Sequence, residues 1–371
     1  MSARAAQTVR TYDLYLLGAG LFLAGFGLVM VLSASAIMAE KFWHDKLHFF
    51  SRQGVAMIIG LLAMVFCAVV PRGFFYRLTY LWLLLAAGLL LATVFTPLGL
   101  TVNGAKRWLA LGPFTFQPLE AVKVALVLYL GYFFAAKQDR VKRFSIGFLP
   151  PLLVTGAFAG VLLLQPDFGG AAMLCMILFL MCLVGGTRLT YLAASALLVL
   201  GAGAMLIIHS PYRFRRLFAF LDPFKDAQNV GYQLVQSLYA FGAGRLTGVG
   251  LGAGSQKLFF LPEAHNDFLM AVVGEETGFI GVSLVLVLIA ILLWRAFVIT
   301  ARQAELRDRF TACGLTCVLG LGFILNLAVV LGTVPPKGVP MPFMSYGGSQ
   351  IIMSFVCLGI LLNLSRREAG R

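Results

Sequence analysis

Charged residues are scarce in this sequence, and their scarcity excludes a soluble domain. Asp, Glu, Lys and Arg together make up 12% of the chain, hydrophobic residues make up 60%, and the mean hydropathy is +0.91. Soluble domains carry about 25% charged and about 45–50% apolar residues. Most of the protein surface must therefore face lipid, which predicts an integral membrane protein.

Cysteine and histidine are also few, and they form no recognisable site. The six cysteines lie in apolar runs without CxxC spacing or nearby histidines, so we interpret them as packing residues. The glycines at 248, 250, 252 and 254 resemble a nucleotide loop, but no strand precedes them and no Lys-Ser/Thr pair follows. The sequence predicts no metal ligand cluster and no nucleic-acid partner.

Long apolar runs recur along the whole chain instead. Each run has about 20 residues, enough for a helix to cross a hydrocarbon core of about 30 Å. About ten spans are predicted, near residues 13–36, 51–70, 79–96, 118–136, 148–164, 169–186, 188–209, 278–299, 310–332 and 349–364. We predict an all-α polytopic membrane protein with a single domain over residues 1–371. The first run is too long for a signal peptide and should remain as an anchor.

Arginine and lysine are distributed unevenly between alternate loops. If the N-terminus is cytoplasmic, that side receives short basic segments such as residues 137–143. The positive-inside rule then places both termini in the cytoplasm. The long segment 209–266, between spans seven and eight, and shorter loops near 102–116 and 334–348 lie outside. Irregular polar backbone is not tolerated against lipid, so we expect any chemistry at the extracytoplasmic face.

Ionisable residues interrupt the apolar pattern in two places. Glu120 and Lys123 begin the fourth span, three residues apart, so they share a helix face and can pair. Intramembrane charges are costly and often functional, but a structural ion pair is the alternative. Asp167, between the fifth and sixth spans, either binds a ligand or caps the following helix.

The long outer segment is basic, which is unusual for a surface outside the membrane. It contains Arg213, Arg215, Arg216 and Lys257, and Lys337 lies in a proline-rich loop before the last span. Such groups suit phosphate or diphosphate oxygens, which predicts an anionic ligand. Anionic lipid headgroups are the alternative partner.

Asp267 is the carboxylate best placed for catalysis. It precedes the apolar run 268–273, so its side chain should be partly desolvated at the membrane surface. An ionised carboxylate there can accept a proton from a substrate hydroxyl, although a helix-capping aspartate would look the same. Glu275 and Glu276, two turns further on, are interpreted as structural partners of nearby arginines.

These stretches resemble the shape, elongation, division and sporulation family of bacterial peptidoglycan glycosyltransferases. The matching segments, in family order, are NGAKRW, QPxExxK, QPDFG, FLDP, GYQxxQSLYAFGAG, QKLFFLPEAHNDF, GEExGFIG and PxKGVPMPFMSYGGS. The LPEAH segment and Lys337 look more like the cell-division branch than the elongation branch. The resemblance implies a fold of about ten spans in the inner membrane, acting at the division septum.

The resemblance also implies polymerisation of lipid II, the undecaprenyl-diphosphate-linked disaccharide peptide, at the outer face. Asp267 matches the catalytic carboxylate and would act as base on the acceptor 4-hydroxyl, with inversion and loss of undecaprenyl diphosphate. Glu120 and Lys123 match a pair associated with activity. Candidates for binding substrate and diphosphate are Arg107, Lys257, Lys337, Arg213, Arg215, Arg216, His265 and Ser345.

The implied partners are a class B penicillin-binding protein and other divisome membrane proteins. No cofactor is predicted, but a divalent cation, Mg or Mn, assisting with the diphosphate is a hypothesis. Asn266, Leu119 and Gln350 replace residues usual in the family, and this leaves their local geometry open.

Two other functions fit a protein with many spans. A lipid II flippase would need polar residues along a transverse path, and few ionisable groups besides Glu120 and Lys123 lie inside the spans. A non-catalytic scaffold for a transpeptidase would tolerate Asp267→Ala without loss of glycan synthesis.

Overall fold

The computed structural model describes residues 12–102, 104–112, 114–209, 214, 220, 222–225, 227–229, 231–258, 260–335 and 337–366. Its elements are α1 (Leu14–Trp43), α2 (His48–Val69), α3 (Arg72–Arg77), α4 (Thr79–Phe95), β1 (Gly99–Val102), β2 (Ala105–Leu111), β3 (Phe114–Phe116), α5 (Pro118–Ala136), α6 (Leu149–Leu164), α7 (Phe168–Gly185), α8 (Leu189–Ile208), α9 (Tyr232–Gly244), α10 (Leu269–Arg302), α11 (Leu306–Val330) and α12 (Gly348–Ser365).

Long apolar helices dominate the part of the chain that the structure describes. Eight helices there are long and apolar enough to cross a membrane, and α4 and α8 are shorter apolar helices. They occupy the ranges predicted as spans, because about 20 apolar residues without breaks form a helix in lipid. The predicted all-α polytopic membrane protein is confirmed, while the number of spans and their orientation remain predictions.

Glycine residues allow helices to pack closely at the centre of the bundle. Gly60 on α2 lies so near α12 that a Cβ there would be 2.7 Å from the Phe355 ring. Gly359 on α12 likewise lies against the Met64 carbonyl of α2, where the corresponding distance is 2.5 Å. Small residues let membrane helices approach in this way, in the absence of a hydrophobic driving force between them.

A three-stranded antiparallel sheet, formed by β1, β2 and β3 in that order, lies between α4 and α5. Leu100 pairs with Trp108 and Ala110 with Thr115 in its register. The sequence predicts only an outer loop in this stretch, so the sheet is an addition to the predicted all-α fold. The sheet places Arg107, on β2, next to the segment that joins α6 to α7.

Helix α10 is broken at Gly278, which has a positive φ of 65°. The loop that follows α9 fills the break: the amides of Phe279 and Ile280 donate to the carbonyls of Arg245 and Leu246, at 2.9 and 3.1 Å. Residues 269–277 therefore form a separate buried half-helix. The predicted start of the eighth span at residue 278 coincides with this break.

Two glutamates in the half-helix fasten the glycine-rich loop that follows α9. Glu275 accepts a hydrogen bond from the Ser255 amide at 2.7 Å, and Glu276 forms a 2.6 Å ion pair with Lys257. Ser33 of α1 also donates to Glu276, at 2.7 Å. The interpretation that these glutamates pair with arginines is wrong, because the loop brings Lys257 and its own amides to them instead.

Candidate active site

Five charged side chains from four segments of the chain line one cavity of about 50 Å³. They are Arg107 from β2, Glu120 and Lys123 from α5, Asp167 before α7, and Lys337 from the loop before α12. Cations outnumber anions among them by three to two. The cavity is therefore suited to an anionic ligand.

Lys337 reaches the N-terminus of α7. A Cβ on Gly169 would lie only 2.0 Å from Lys337 Nζ, so glycine is what makes room for the ammonium group. Burial lowers the pKa of Lys337 to about 8, and Lys123 and Arg107 also lower it while Asp167 raises it. An anion at this point would be favoured both by Lys337 and by the positive end of the helix dipole of α7.

Asp167 caps α7, as one of the two sequence interpretations proposed. Its carboxylate accepts a hydrogen bond from the Gly170 amide at 3.0 Å. The preceding residue, Pro166, uses its carbonyl to accept a 2.7 Å hydrogen bond from Arg107 Nη2. The α7 N-terminus is thereby tied to β2, and Arg107 is held at the cavity.

Asp267 lies beside the residue that follows Lys337. Its Oδ2 atom is 2.7 Å from the position that a Cβ on Gly338 would occupy. Burial, and to a smaller extent Glu263, raise the pKa of Asp267 to about 7, although Lys337 lowers it. No side-chain cap is present at the start of α10, so Asp267 does not cap that helix. A carboxylate that titrates near neutral pH is suited to act as a general base.

Glu120 and Lys123 form the predicted ion pair, with 2.7 Å between Glu120 Oε2 and Lys123 Nζ. Both side chains are buried. The pair also lines a second cavity of about 30 Å³, together with Gln350 and Cys357. The ion pair therefore borders two cavities and is not enclosed in helix packing alone.

Three other predicted site residues hold loops in place, namely His265, Ser345 and Lys257. His265 packs between the rings of Phe49 and Tyr346, at centroid distances of 4.6 and 5.5 Å. Burial lowers its pKa from the usual value, which favours a neutral imidazole. Ser345 Oγ accepts a 2.9 Å hydrogen bond from the Met341 amide.

Lys257, also predicted to bind substrate, is buried with its ammonium group on Glu276 and Ser33. Arg213, Arg215 and Arg216 lie outside the described residues. The cavity thus unites Arg107 and Lys337 with the Glu120–Lys123 pair, and Asp267 lies at Gly338, which belongs to its wall.

The three departures from the family pattern have definite places. Asn266 donates a 3.2 Å hydrogen bond to Glu263 within its own loop, and the side chain of Leu119 packs against Gly170. Gln350 donates to the Pro340 carbonyl of the loop that carries Lys337. None of them displaces a charged group from the cavity.

Two kinds of residue at the site were not predicted from the sequence. Gly169 and Gly338 make room for Lys337 and Asp267, and no local sequence signal reports such a contact. Asn326, on α11, donates to the Asp267 carbonyl at 2.8 Å and to the Val339 carbonyl at 2.7 Å. An isolated amide in an apolar span was the available signal.

The fold is a bundle of membrane-length helices, which defines a polytopic membrane protein. Cations and a carboxylate with a pKa of about 7 lie together at one end of the bundle, and they form a candidate acid–base and anion-binding site. The model of the FtsW, RodA and SpoVE family, described as cell cycle proteins, matches residues 14–370. The chain belongs to this family, as its motifs predicted.

Relatives and solved structures agree with this assignment. A probable peptidoglycan glycosyltransferase FtsW from Trichlorobacter lovleyi is 42% identical and covers 95% of this chain and 93% of its own length. The protein of the same description from Geobacter sulfurreducens is 41% identical over 98% of each chain.

Two solved structures have the same fold. One, from work on polymerization and crosslinking by a peptidoglycan synthase complex, has a TM-score of 0.81 and 29% identity, over 97% of this chain and 99% of that one. The rod shape determining protein RodA of Thermus thermophilus has a TM-score of 0.71 and 28% identity over the same shares.

Proposed function

We propose that this protein is a peptidoglycan glycosyltransferase that polymerises lipid II at the outer face of the cytoplasmic membrane during cell division. The observation that carries the proposal is the meeting of Arg107, Lys123 and Lys337 in one cavity with Asp267 at its wall. This arrangement offers a base for a hydroxyl and cations for a diphosphate. The full-length similarity to proteins described as FtsW supports the same activity.

In the proposed reaction, Asp267 takes the proton of the acceptor sugar's 4-hydroxyl. The oxygen attacks the anomeric carbon of the donor from the side opposite the diphosphate, so the configuration inverts. The bond to undecaprenyl diphosphate breaks, and its electron pair leaves with the phosphate oxygen. Lys337, Arg107 and the amides of α7 stabilise the negative charge that grows on this group.

The proposed role of Lys337 requires it to be charged while Asp267 is not protonated. The pKa values of about 8 for Lys337 and about 7 for Asp267 leave a range of pH in which both conditions hold. Glu120 and Lys123 extend the charged lining inward from the diphosphate position. We propose that Lys123 contributes to the positive potential and that Glu120 keeps it oriented.

Lys257, His265 and Ser345 are proposed to support the site through the loops they hold. Lys257 and Ser345 form hydrogen bonds within the protein, and the buried His265 ring packs between Phe49 and Tyr346. Arg213, Arg215 and Arg216 remain candidates for diphosphate or headgroup binding.

A divalent cation, Mg or Mn, is proposed to assist through the substrate's own phosphate oxygens. Within the described residues no group of three or more His, Cys, Asp or Glu side chains is placed to hold a metal ion. Undiminished polymerisation in excess chelator would refute a metal requirement.

We propose a class B penicillin-binding protein, together with other divisome membrane proteins, as partners at the septum of the inner membrane. The similarity to a peptidoglycan synthase complex supports a transpeptidase partner. Co-purification of this chain with the transpeptidase encoded in the same organism would test the pairing.

The decisive experiment is polymerisation of purified lipid II by this protein with its partner transpeptidase. Asp267→Asn is the test variant, and Glu263→Gln is the matched control, because Glu263 is an exposed carboxylate in the same loop. Loss of a general base costs about 10²- to 10⁴-fold in rate. Polymer from the wild type and the control but not from Asp267→Asn supports the proposal. Equal polymer from all three would make Asp267 structural, and none from any would favour a flippase or a scaffold.

A further inference from the structure

A single buried side chain connects two loops of the candidate site, the loop that carries Asp267 and the loop that carries Lys337. Asn326 lies in α11 and is 1% exposed. Its Nδ2 group donates to the carbonyl of Asp267 at 2.8 Å and to the carbonyl of Val339 at 2.7 Å. One amide group thus uses both of its hydrogens on the backbones of two different loops.

The direction of this amide is determined by chemistry. Both neighbouring groups are carbonyl oxygens, which only accept, so the NH₂ group and not the oxygen must face them. Among the described residues, Oδ1 of Asn326 has no hydrogen-bond partner. A buried oxygen without a hydrogen-bond partner destabilises the folded protein. The presence of asparagine at this position is therefore consistent with a requirement for the two hydrogen bonds that its Nδ2 group donates.

The connected segments carry the reacting groups of the proposed function. Asp267 is itself one anchor, and Val339 follows Lys337 by two residues. Between them, Gly338 lies against the Asp267 carboxylate. A change in the spacing of these loops would therefore move the carboxylate relative to the lysine.

From this geometry we infer that Asn326 is a positioning residue, which sets the separation of Asp267 from Lys337 by holding both backbones to α11. The inference rests on the proposed glycosyltransferase function and deepens it. Asn326 touches no substrate in this role. It acts through the two loops.

The test compares Asn326→Leu with a matched control at the other end of the bundle. Leucine is branched at Cγ like asparagine, although it is larger, and it donates no hydrogen bond; the same replacement in the control carries the same increase in volume. Asn363 on α12 is an equally buried asparagine whose Nδ2 donates to the carbonyls of Cys67 and Val70, at 2.8 and 2.6 Å. Asn363→Leu therefore removes the same kind of bridge far from the cavity.

We expect Asn326→Leu to lower kcat for lipid II polymerisation by about 10- to 100-fold, as misplacement of a reacting group does, with little change in KM. Asn363→Leu should leave kcat unchanged per folded protein while lowering the melting temperature to a similar extent. Asn326→Gln, which keeps the donors, should restore part of the activity. Equal activity of Asn326→Leu and wild type would overturn the inference.

The pH profile separates positioning from general destabilisation. The charged groups facing Asp267 are Glu263 and Lys337, and those facing Lys337 are Asp167, Lys123, Arg107 and Asp267. If the loops separate, Asp267 loses the nearby ammonium group, and the acid limb of kcat/KM should move to higher pH. An acid limb that stays in place would count against positioning.

Hydrogen exchange measured by mass spectrometry tests the same contact without activity. Asn326→Leu should speed exchange in segments 264–268 and 337–346 but not elsewhere, and Asn363→Leu should leave these segments unchanged. If Asn326→Leu is too unstable to purify, Asn326→Asp keeps the shape with at most one donor hydrogen and should give the same local increase. Unchanged exchange in these segments would refute the proposed role of Asn326 in holding the two loops, even if the wild type polymerises lipid II. An inactive wild type with the expected exchange would instead refute only the proposed function.

Discussion

The ammonium group of Lys337 lies where a side chain on Gly169 would be. The Lys337 Cε atom is 1.3 Å and Nζ 2.0 Å from the position of a Cβ on that glycine. The residues are distant in sequence, yet the loop before α12 and the first turn of α7 meet at this one point. The position of the Lys337 ammonium group beside the first turn of α7 therefore depends on the absence of a methyl group at Gly169.

Gly169→Ala should expel Lys337 from the cavity and lower the polymerisation rate by about 10²-fold, the cost of displacing a group that acts on the transition state. Gly160→Ala is the control, because this helical glycine in α6 has no neighbouring atom within 4 Å of the added carbon. The control should keep its activity and gain stability of about 1 kcal/mol or less from the better helix former. Full activity of Gly169→Ala would mean that Lys337 is dispensable at this position. Initial rates with purified lipid II provide the measurement.

The dependence of kcat/KM on pH should be bell-shaped. Asp267 must be deprotonated to act as a base, and burial raises its pKa to about 7, so activity should fall tenfold per pH unit below that value. Lys337 must be protonated to bind diphosphate, and burial lowers its pKa to about 8, so activity should fall again above it. The two apparent values belong to the interacting pair.

Glu263→Gln sharpens this prediction. Glu263 raises the pKa of Asp267, so its neutralisation should move the acid limb to lower pH and leave the alkaline limb in place. Movement of the alkaline limb alone would contradict the assignment of the acid limb to Asp267. Rates in buffers of constant ionic strength are needed, since salt screens the Glu263 charge.

Local chemistry made part of this site predictable. The spacing of Glu120 and Lys123 is enough for an ion pair on any helix, and Asp167 before a helical run is enough for a cap. Apolar length alone locates the spans, because backbone groups in lipid must be satisfied within a helix.

The remainder depends on tertiary contacts. Lys257 looked like a diphosphate ligand because a lysine in an outer loop carries no sign of its partner, and only the fold brings Glu276 to it. The small sheet was missed because β3 has just three residues and pairs with β2 through an intervening turn. The two loops joined by Asn326 likewise could not be matched from sequence spacing.

The orientation of the chain can be tested by cysteine labelling. Lys106 on β2 and Lys142 after α5 are both exposed. If the site faces outward, a membrane-impermeant maleimide should label Lys106→Cys in intact spheroplasts and label Lys142→Cys only after permeabilisation. The half-buried Cys175 and Cys317 should first be replaced by alanine. The reverse labelling pattern would place the cavity in the cytoplasm and exclude the proposed reaction at the outer face.

The ion pair of Lys257 with Glu276 distinguishes a structural lysine from a substrate ligand. Both side chains are almost completely buried, so Lys257→Met should leave an uncompensated carboxylate and destabilise the protein by about 3–5 kcal/mol. The double variant Lys257→Met with Glu276→Gln removes both charges, and we expect it to recover most of the melting temperature in detergent. Because the neutral glutamine at position 276 no longer needs a cation, polymerisation by the double variant separates the two roles. Near wild-type rates would agree with a structural lysine, whereas a stable but inactive double variant would return Lys257 to the diphosphate.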